Sequence, residues 1–234
     1  MPRSQYAILA RYIRRNGQAN RLTANVCLPV ACFCHAAASA WPYTVANHNK
    51  ASAGHSRPYQ AACKPNANRL NTTVLGKNME CHPTLASTNA RAKELALGGA
   101  PEGTVVIAEE QSGGRGRLGR RWVSPPGKGI WMSIILKPKL PPEKVPRVTV
   151  MTAVALIRAL KHAAGLEAGI KWPNDIICNG KKLCGILAEV NAEPDIINYA
   201  IVGIGINVNL SADDFPEEIE NIATSIKIET GREF

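Results

Sequence analysis

The chain has 234 residues, 45% of them hydrophobic, which is enough for one good core plus an extra segment or for two small domains. A net charge of +10 suggests nucleic acid until its location is read: residues 1–79 hold ten Lys/Arg and no Asp or Glu, whereas residues 80–234 hold eighteen of each sign. Seven cysteines without framework spacing argue against a disulfide scaffold and for a reducing compartment such as the cytoplasm, and no apolar run is long enough to span a membrane.

Residues 1–70 show no sustained helical or strand period, and their acid-free composition is that of a poorly ordered or aberrant leader. Val26 to Ala40 is apolar but interrupted, with the look of a signal-peptide core behind too long a leader; an Arg-rich, acid-free leader also suits organellar import. Cys32-Phe33-Cys34-His35 has no second ligand pair nearby and reads as unpaired thiols rather than a metal site. Order is expected from about Leu70, so the chain divides into 1–70 and a folded domain over 71–234. Ser87-Thr88-Asn89 offers N-cap side chains to a helix running to Leu97, stopped by Gly98-Gly99. Thr104 to Ala108 is a buried-type strand leading to Gln111, and Ile130 to Leu136 is a second. Arg147 to Ala164 carries apolar residues at helical spacing and ends at Gly165. Strands follow at Gly169 to Trp172, Asp175 to Cys178, Lys182 to Val190 and Tyr199 to Val208, with Asn179-Gly180 predicting a type I′ hairpin turn. Asp213 to Ile222 reads as a short helix. So few crossover helices predict an α+β fold with a mixed, largely antiparallel sheet flanked by helices.

Between the first two strands lies Gly113-Gly114-Arg115-Gly116-Arg117-Leu118-Gly119-Arg120-Arg121-Trp122. Glycines let a ligand approach the main chain, and each arginine adds a fixed charge and a fork of donors that fits carboxylate or phosphate oxygens. The run reads as a loop that closes over an anion. Gly114-x-Gly116-x-x-Gly119 also matches the dinucleotide pattern, but Ser124-Pro125-Pro126-Gly127 follows and cannot open the helix which that pattern requires. None of the companion motifs of a kinase glycine loop is found downstream.

Three more polar clusters fall at strand ends and turns: Lys171-Trp172-Pro173-Asn174-Asp175, Lys181-Lys182-Leu183-Cys184-Gly185-Ile186-Leu187, and Gly203-Ile204-Gly205-Ile206-Asn207. Singly, Lys171 is equally well a solvated lysine, Asp175 a turn carboxylate and Asn207 a cap, and Gly203 and Gly205 can mark only close strand packing. Jointly, in order and spacing, these clusters with Ser87-Thr88-Asn89 and the arginine–glycine loop resemble the catalytic domain of biotin–protein ligases, including the bacterial bifunctional ligase/repressors, from about Thr73 to Phe234. The resemblance implies a fold of the biotin/lipoate ligase, class II synthetase-like type. It implies an enzyme that joins biotin to ATP as biotinyl-5′-adenylate, with Mg²⁺, and passes the biotinyl group to a lysine of a biotin carboxyl carrier domain. It further implies that Ser87, Thr88, Gln111, Gly114, Arg115 and Lys182 hold biotin, and that Arg117, Arg120, Lys171, Asp175 and Asn207 face ATP or the adenylate. Arg117, Lys171 and Lys182 would be the catalytic cations, and Asp175 the magnesium ligand. Trp122 would pack on the thiophane ring or the valeryl chain.

The sequence departs from the family in three places. Ala86 stands where many members have aspartate before Ser-Thr-Asn, no helix-turn-helix is evident in residues 1–70, and Phe234 ends the chain before the family's small β-barrel. A truncated catalytic domain without a DNA partner is therefore expected, with homodimerisation open. A lipoate–protein ligase-like enzyme and a non-catalytic fragment or repressor remnant are the competing readings.

Overall fold

The computed structural model describes residues 74–234. The expectations for residues 1–70 lie outside the described residues. Seven strands form one sheet in the order β1-β2-β3-β7-β6-β5-β4: β1 (Met79–Leu85), β2 (Val105–Gln111), β3 (Gly129–Leu136), β4 (Gly169–Lys171), β5 (Asp175–Cys178), β6 (Lys181–Ala192) and β7 (Ile197–Asn207). Only β1 and β2 run parallel; the other pairs are antiparallel. The expected mixed, largely antiparallel sheet is thus the observed one. Asn179 and Gly180 both have positive φ, as a type I′ turn between β5 and β6 requires.

Strand alternation separates two faces. Val105 and Ile107 of β2, Met132 and Ile134 of β3, and Val202, Ile204 and Ile206 of β7 pack with Leu156, Ala159 and Leu160 of the long helix α2 (Pro146–Ala164). The intervening residues Val106, Ile135 and Ile201 pack with Ala92 and Ala96 of α1 (Thr88–Leu97). The two helices therefore cover opposite faces of the sheet, since successive side chains on a strand point to opposite sides. Helix α2 is long and apolar and fills its face. It ends at Gly165 in the left-handed conformation, where the Gly165 N–H donates to the Lys161 carbonyl and the Leu166 N–H to the Leu160 carbonyl. Helix α1 is only ten residues and is capped by the Ser87 side chain.

Three differences from the sequence reading have local causes. Strand β1 contains Glu80, His82 and Pro83, but a sheet edge tolerates them: Pro83 falls outside the recorded register and Glu80 pairs with Arg91 of α1 at 2.9 Å. The helix expected over Asp213–Ile222 is instead a 3₁₀ turn (Ala212–Asp214) and a one-turn helix α3 (Glu217–Glu220), because Pro216 interrupts the run. A further short helix, α4 (Ile226–Thr230), is capped by the Ser225 side chain.

Candidate active site

On the α1 face, the strands alternate into glycine where β7 and β6 should carry side chains. Gly203 and Gly205 of β7 and Gly185 of β6 form the floor of a trough. In register, Gly205 lies between Trp131 of β3 and Gly185, and Gly203 lies between Ser133 and Leu187. The trough is occupied by specific neighbours rather than by empty space. A Cβ at Gly205 would meet the Trp122 ring at 2.5 Å, and one at Gly203 would meet Asn89 Oδ1 at 2.2 Å. The cleft above this floor holds about 470 Å³ of space between atoms, counting what is open to solvent.

Its inner wall is the start of α1. Ser87, Thr88, Asn89 and Ser133 are buried, and a polar group taken from water needs partners. The Gln111 amide oxygen accepts from the Thr88 N–H (2.9 Å) and hydroxyl (3.1 Å), while Gln111 Nε2 donates to Ser124 Oγ (2.9 Å). Asn89 donates to Glu189 at 2.6 Å and receives a hydrogen bond from Ser133 at 2.6 Å.

The outer wall is the arginine–glycine run, which folds as a short ribbon. Arg115 pairs with Arg121 across it, Gly116 N–H donates to the Arg120 carbonyl (2.6 Å) and Trp122 N–H to the Gly114 carbonyl (2.9 Å). Leu118 and Gly119 turn the tip with positive φ. Gly114 is required by contact: a Cβ there would sit 2.4 Å from the Trp122 carbonyl oxygen. From the tip, Arg117 reaches across and donates to Asn174 Oδ1 (3.0 Å), and Asn174 is itself fixed by donating to the Ile186 carbonyl (3.0 Å). Lys182 lies on the cleft lining, 2.8 Å from Asp175 and 5.2 Å from the centre of the Trp122 ring. Trp122 meets Trp131 edge to face at 6.4 Å.

Of the residues singled out in the sequence, the cleft lining contains Ser87, Thr88, Gln111, Arg115, Arg117 and Lys182. Gly114 shapes the ribbon behind it. Arg120 is exposed at the end of the ribbon, and Lys171 is exposed on β4; neither belongs to the lining. Asn207 is buried and donates to the Thr224 carbonyl at 2.9 Å, away from the lining. Asp175 stands behind Lys182 and is paired with it. Among the described residues, no cluster of three or more His, Cys, Asp or Glu side chains could hold a metal. Asp175 is a single carboxylate paired with Lys182, and magnesium at a nucleotide site is ordinarily held by one or two carboxylates together with substrate phosphates. Glu109 of β2 is held above the usual carboxylate range by burial, and one of its oxygens has no hydrogen-bond partner among the described residues.

Sequence reading missed Ser133, Asn174 and the role of Asn89. Ser133 carried a signal: it is the single polar side chain within the apolar run Ile130 to Leu136. Asn174 was visible only as part of a motif.

Residues 82–207 match the family model "Biotin/lipoate A/B protein ligase family". The bifunctional ligase/repressor BirA of Bacillus subtilis is 49% identical over 162 residues, covering 69% of this chain and 50% of that protein. A biotin–[acetyl-CoA-carboxylase] ligase of Paracoccus denitrificans is 40% identical, covering 52% of this chain and 51% of that protein. The chain thus spans about half the length of these curated relatives. Among solved structures, biotin protein ligase from Aquifex aeolicus in complex with biotin and ATP superimposes with a TM-score of 0.57 at 34% identity, covering 68% of this chain and 63% of that one.

Proposed function

The chain belongs to the biotin/lipoate A/B protein ligase family, and on that premise we propose that residues 71–234 form the catalytic domain of a biotin–protein ligase. It joins biotin to ATP as biotinyl-5′-adenylate, releasing pyrophosphate, and passes the biotinyl group to one lysine of a biotin carboxyl carrier domain. The observation that carries this reading is the division of one cleft into an uncharged polar wall, made by Ser87, Thr88 and Gln111, and a cationic mouth, made by Arg115, Arg117 and Lys182.

Each half suits one part of the reaction. The bicyclic head of biotin has a ureido ring with one carbonyl acceptor and two N–H donors, which hydroxyl and amide side chains can match. Its rings and chain are apolar and suit the Trp122 ring over the glycine floor. In the first step a carboxylate attacks the α-phosphate, so two anions must approach. Lys182, held by Asp175, and Arg115 and Arg117 offset that repulsion and the charge that develops on the phosphoryl oxygens. Magnesium carried on the ATP phosphates would offset charge on the departing pyrophosphate, with Asp175 as the candidate carboxylate. Arg120, Lys171 and Asn207 lie off the lining; Arg120 and Lys171 are exposed, and we keep them for the ATP side of the mouth. In the second step the mixed anhydride must meet a lysine before water, and the ribbon tethered at Asn174 serves as the cover. Seven cysteines without framework spacing suit a reducing compartment such as the cytoplasm.

The biotin reading over the lipoate one is supported by the names of the relatives and by the polar wall, since the dithiolane of lipoate offers no N–H. Incubation of the chain with ATP, magnesium and a carrier domain, using labelled biotin or labelled lipoate, tests it. Transfer of biotin alone is expected; transfer of lipoate alone would contradict it.

A further inference from the structure

The polar wall of the cleft is a chain of hydrogen bonds whose direction is set from both ends. Asn89 Nδ2 faces two acceptors, the Glu189 carboxylate at 2.6 Å and the Leu187 carbonyl at 3.4 Å. Its amide oxygen therefore faces Ser133. Ser133 is fully buried and has one hydroxyl hydrogen, which goes to Asn89 Oδ1 at 2.6 Å. That leaves only lone pairs of Ser133 Oγ toward Thr88 Oγ1, 2.8 Å away. On the other side of Thr88 stands another acceptor, the Gln111 amide oxygen at 3.1 Å. The Gln111 orientation is fixed as well: its oxygen accepts the Thr88 N–H, and its Nε2 donates to a Ser124 hydroxyl that itself donates to the Trp122 carbonyl.

The Thr88 hydroxyl hydrogen thus lies between two acceptors inside the wall, and its oxygen turns lone-pair density to the cleft. A threonine hydroxyl is ordinarily free to donate or accept. Here the wall has removed that freedom.

We propose that Ser133 is a positioning and specificity-determining residue: it fixes Thr88 as an acceptor, so that the cleft selects ligands bringing an N–H to this point over ligands bringing a lone pair. This rests on reading the cleft as the biotin site. Ser133 does not line the cleft and acts through Thr88. Asn89 transmits the direction, seated on Gly203, where any Cβ would displace it. A ligand whose ring carries oxygen in place of one N–H meets lone pair against lone pair, and the site's polar groups go unpaired.

The test is calorimetric titration of the full chain and its Ser133→Ala and Ser133→Cys variants with biotin and with the two carbamate analogues in which ring oxygen replaces one ureido N–H. For the parent, at least one carbamate should bind roughly a hundredfold more weakly than biotin. In Ser133→Ala the Thr88 hydroxyl loses its closer partner, keeps only the longer contact to Gln111 and can turn its hydrogen outward to a ligand acceptor, so biotin affinity falls while that ratio shrinks to about tenfold or less. Ser133→Cys keeps the volume but only a weak donor, and should shrink the ratio likewise; it carries the test if the alanine variant does not fold. A parent that binds biotin and both carbamates equally, or a folded variant that keeps the parent ratio, overturns the proposal alone. A parent that binds no biotin overturns the functional reading and the proposal together.

Discussion

The two faces of the sheet are built from the same strands and do opposite things. On the α2 face Val105 and Ile107 of β2, Met132 and Ile134 of β3, and Val202, Ile204 and Ile206 of β7 are branched aliphatics or methionine, pressed on the apolar stripe of a nineteen-residue helix. On the α1 face the same strands begin as core at Val106, Ile135 and Ile201, then change to Ser133, Gly203 and Gly205. Period-two alternation means that either face can be altered without touching the other. Stability is concentrated on one side, and the other is released to build a cleft.

That division can be broken from either side. Leu156→Ala, at a fully buried site on α2, should lower stability by about 2–5 kcal/mol through lost burial and the cavity left behind. Biotin affinity of the folded fraction should be unchanged; chemical denaturation and titration read the two quantities separately. Gly205→Val attacks the other face, since its Cβ would lie 2.5 Å from the Trp122 ring. Trp122 must move, and biotin binding should weaken by up to about 3 kcal/mol, roughly a hundredfold, with a smaller loss in thermal stability.

Arg117→Gly sharpens the comparison within the cleft itself. It removes the contact to Asn174 and a cation from the mouth but leaves Lys182 and Arg115. Loss of a charge-assisted contact costs about 1.5–3 kcal/mol, so adenylate retention should fall about ten- to a hundredfold. Its synthesis should suffer less, and the released anhydride should label bystander lysines. Retention equal to the parent's, measured by adenylate dissociation, would make Arg117 a surface arginine.

The smallest effect is expected at Glu109, whose pKa is raised by burial. At acid pH the carboxyl is protonated both folded and unfolded and carries no penalty. As pH rises through the raised value, the folded chain must hold a desolvated charge, so stability is lost toward neutrality. Glu109→Gln should therefore raise Tm slightly at neutral pH and leave it unchanged in acid; melts across that range check the sign.

Much of this was readable from the sequence where a local rule decides the outcome. Helix α2 follows from apolar spacing closed by Gly165, and the β5–β6 hairpin follows from Asn179-Gly180. Strand β1 was hidden because Glu80, His82 and Pro83 break a strand pattern that only an edge position permits. The helix expected over Asp213–Ile222 ignored Pro216. In the site, the arginine–glycine run was legible from its unusual composition, whereas Ser87-Thr88 read by themselves only as helix caps and were placed in a site by the family resemblance. The partnership of Ser133 with Asn89 was not, for it depends on register: only the pairing of β3 and β7 places Ser133 beside Gly203, and only a glycine there admits Asn89. Lys171 and Asn207 were named with their motifs, but a motif does not say which way a strand residue points; Lys171 is exposed and Asn207 turns to Thr224.

The central claim is that the glycine-floored cleft brings a carboxylate and a nucleotide phosphate together under its cations. Exchange of labelled pyrophosphate into ATP reads that step without a carrier protein. The folded chain, given ATP and magnesium, should catalyse exchange that depends on added biotin and is weakened by Gly205→Val. A well-folded chain that shows no biotin-dependent exchange, or exchange at the same rate without biotin, would contradict the account.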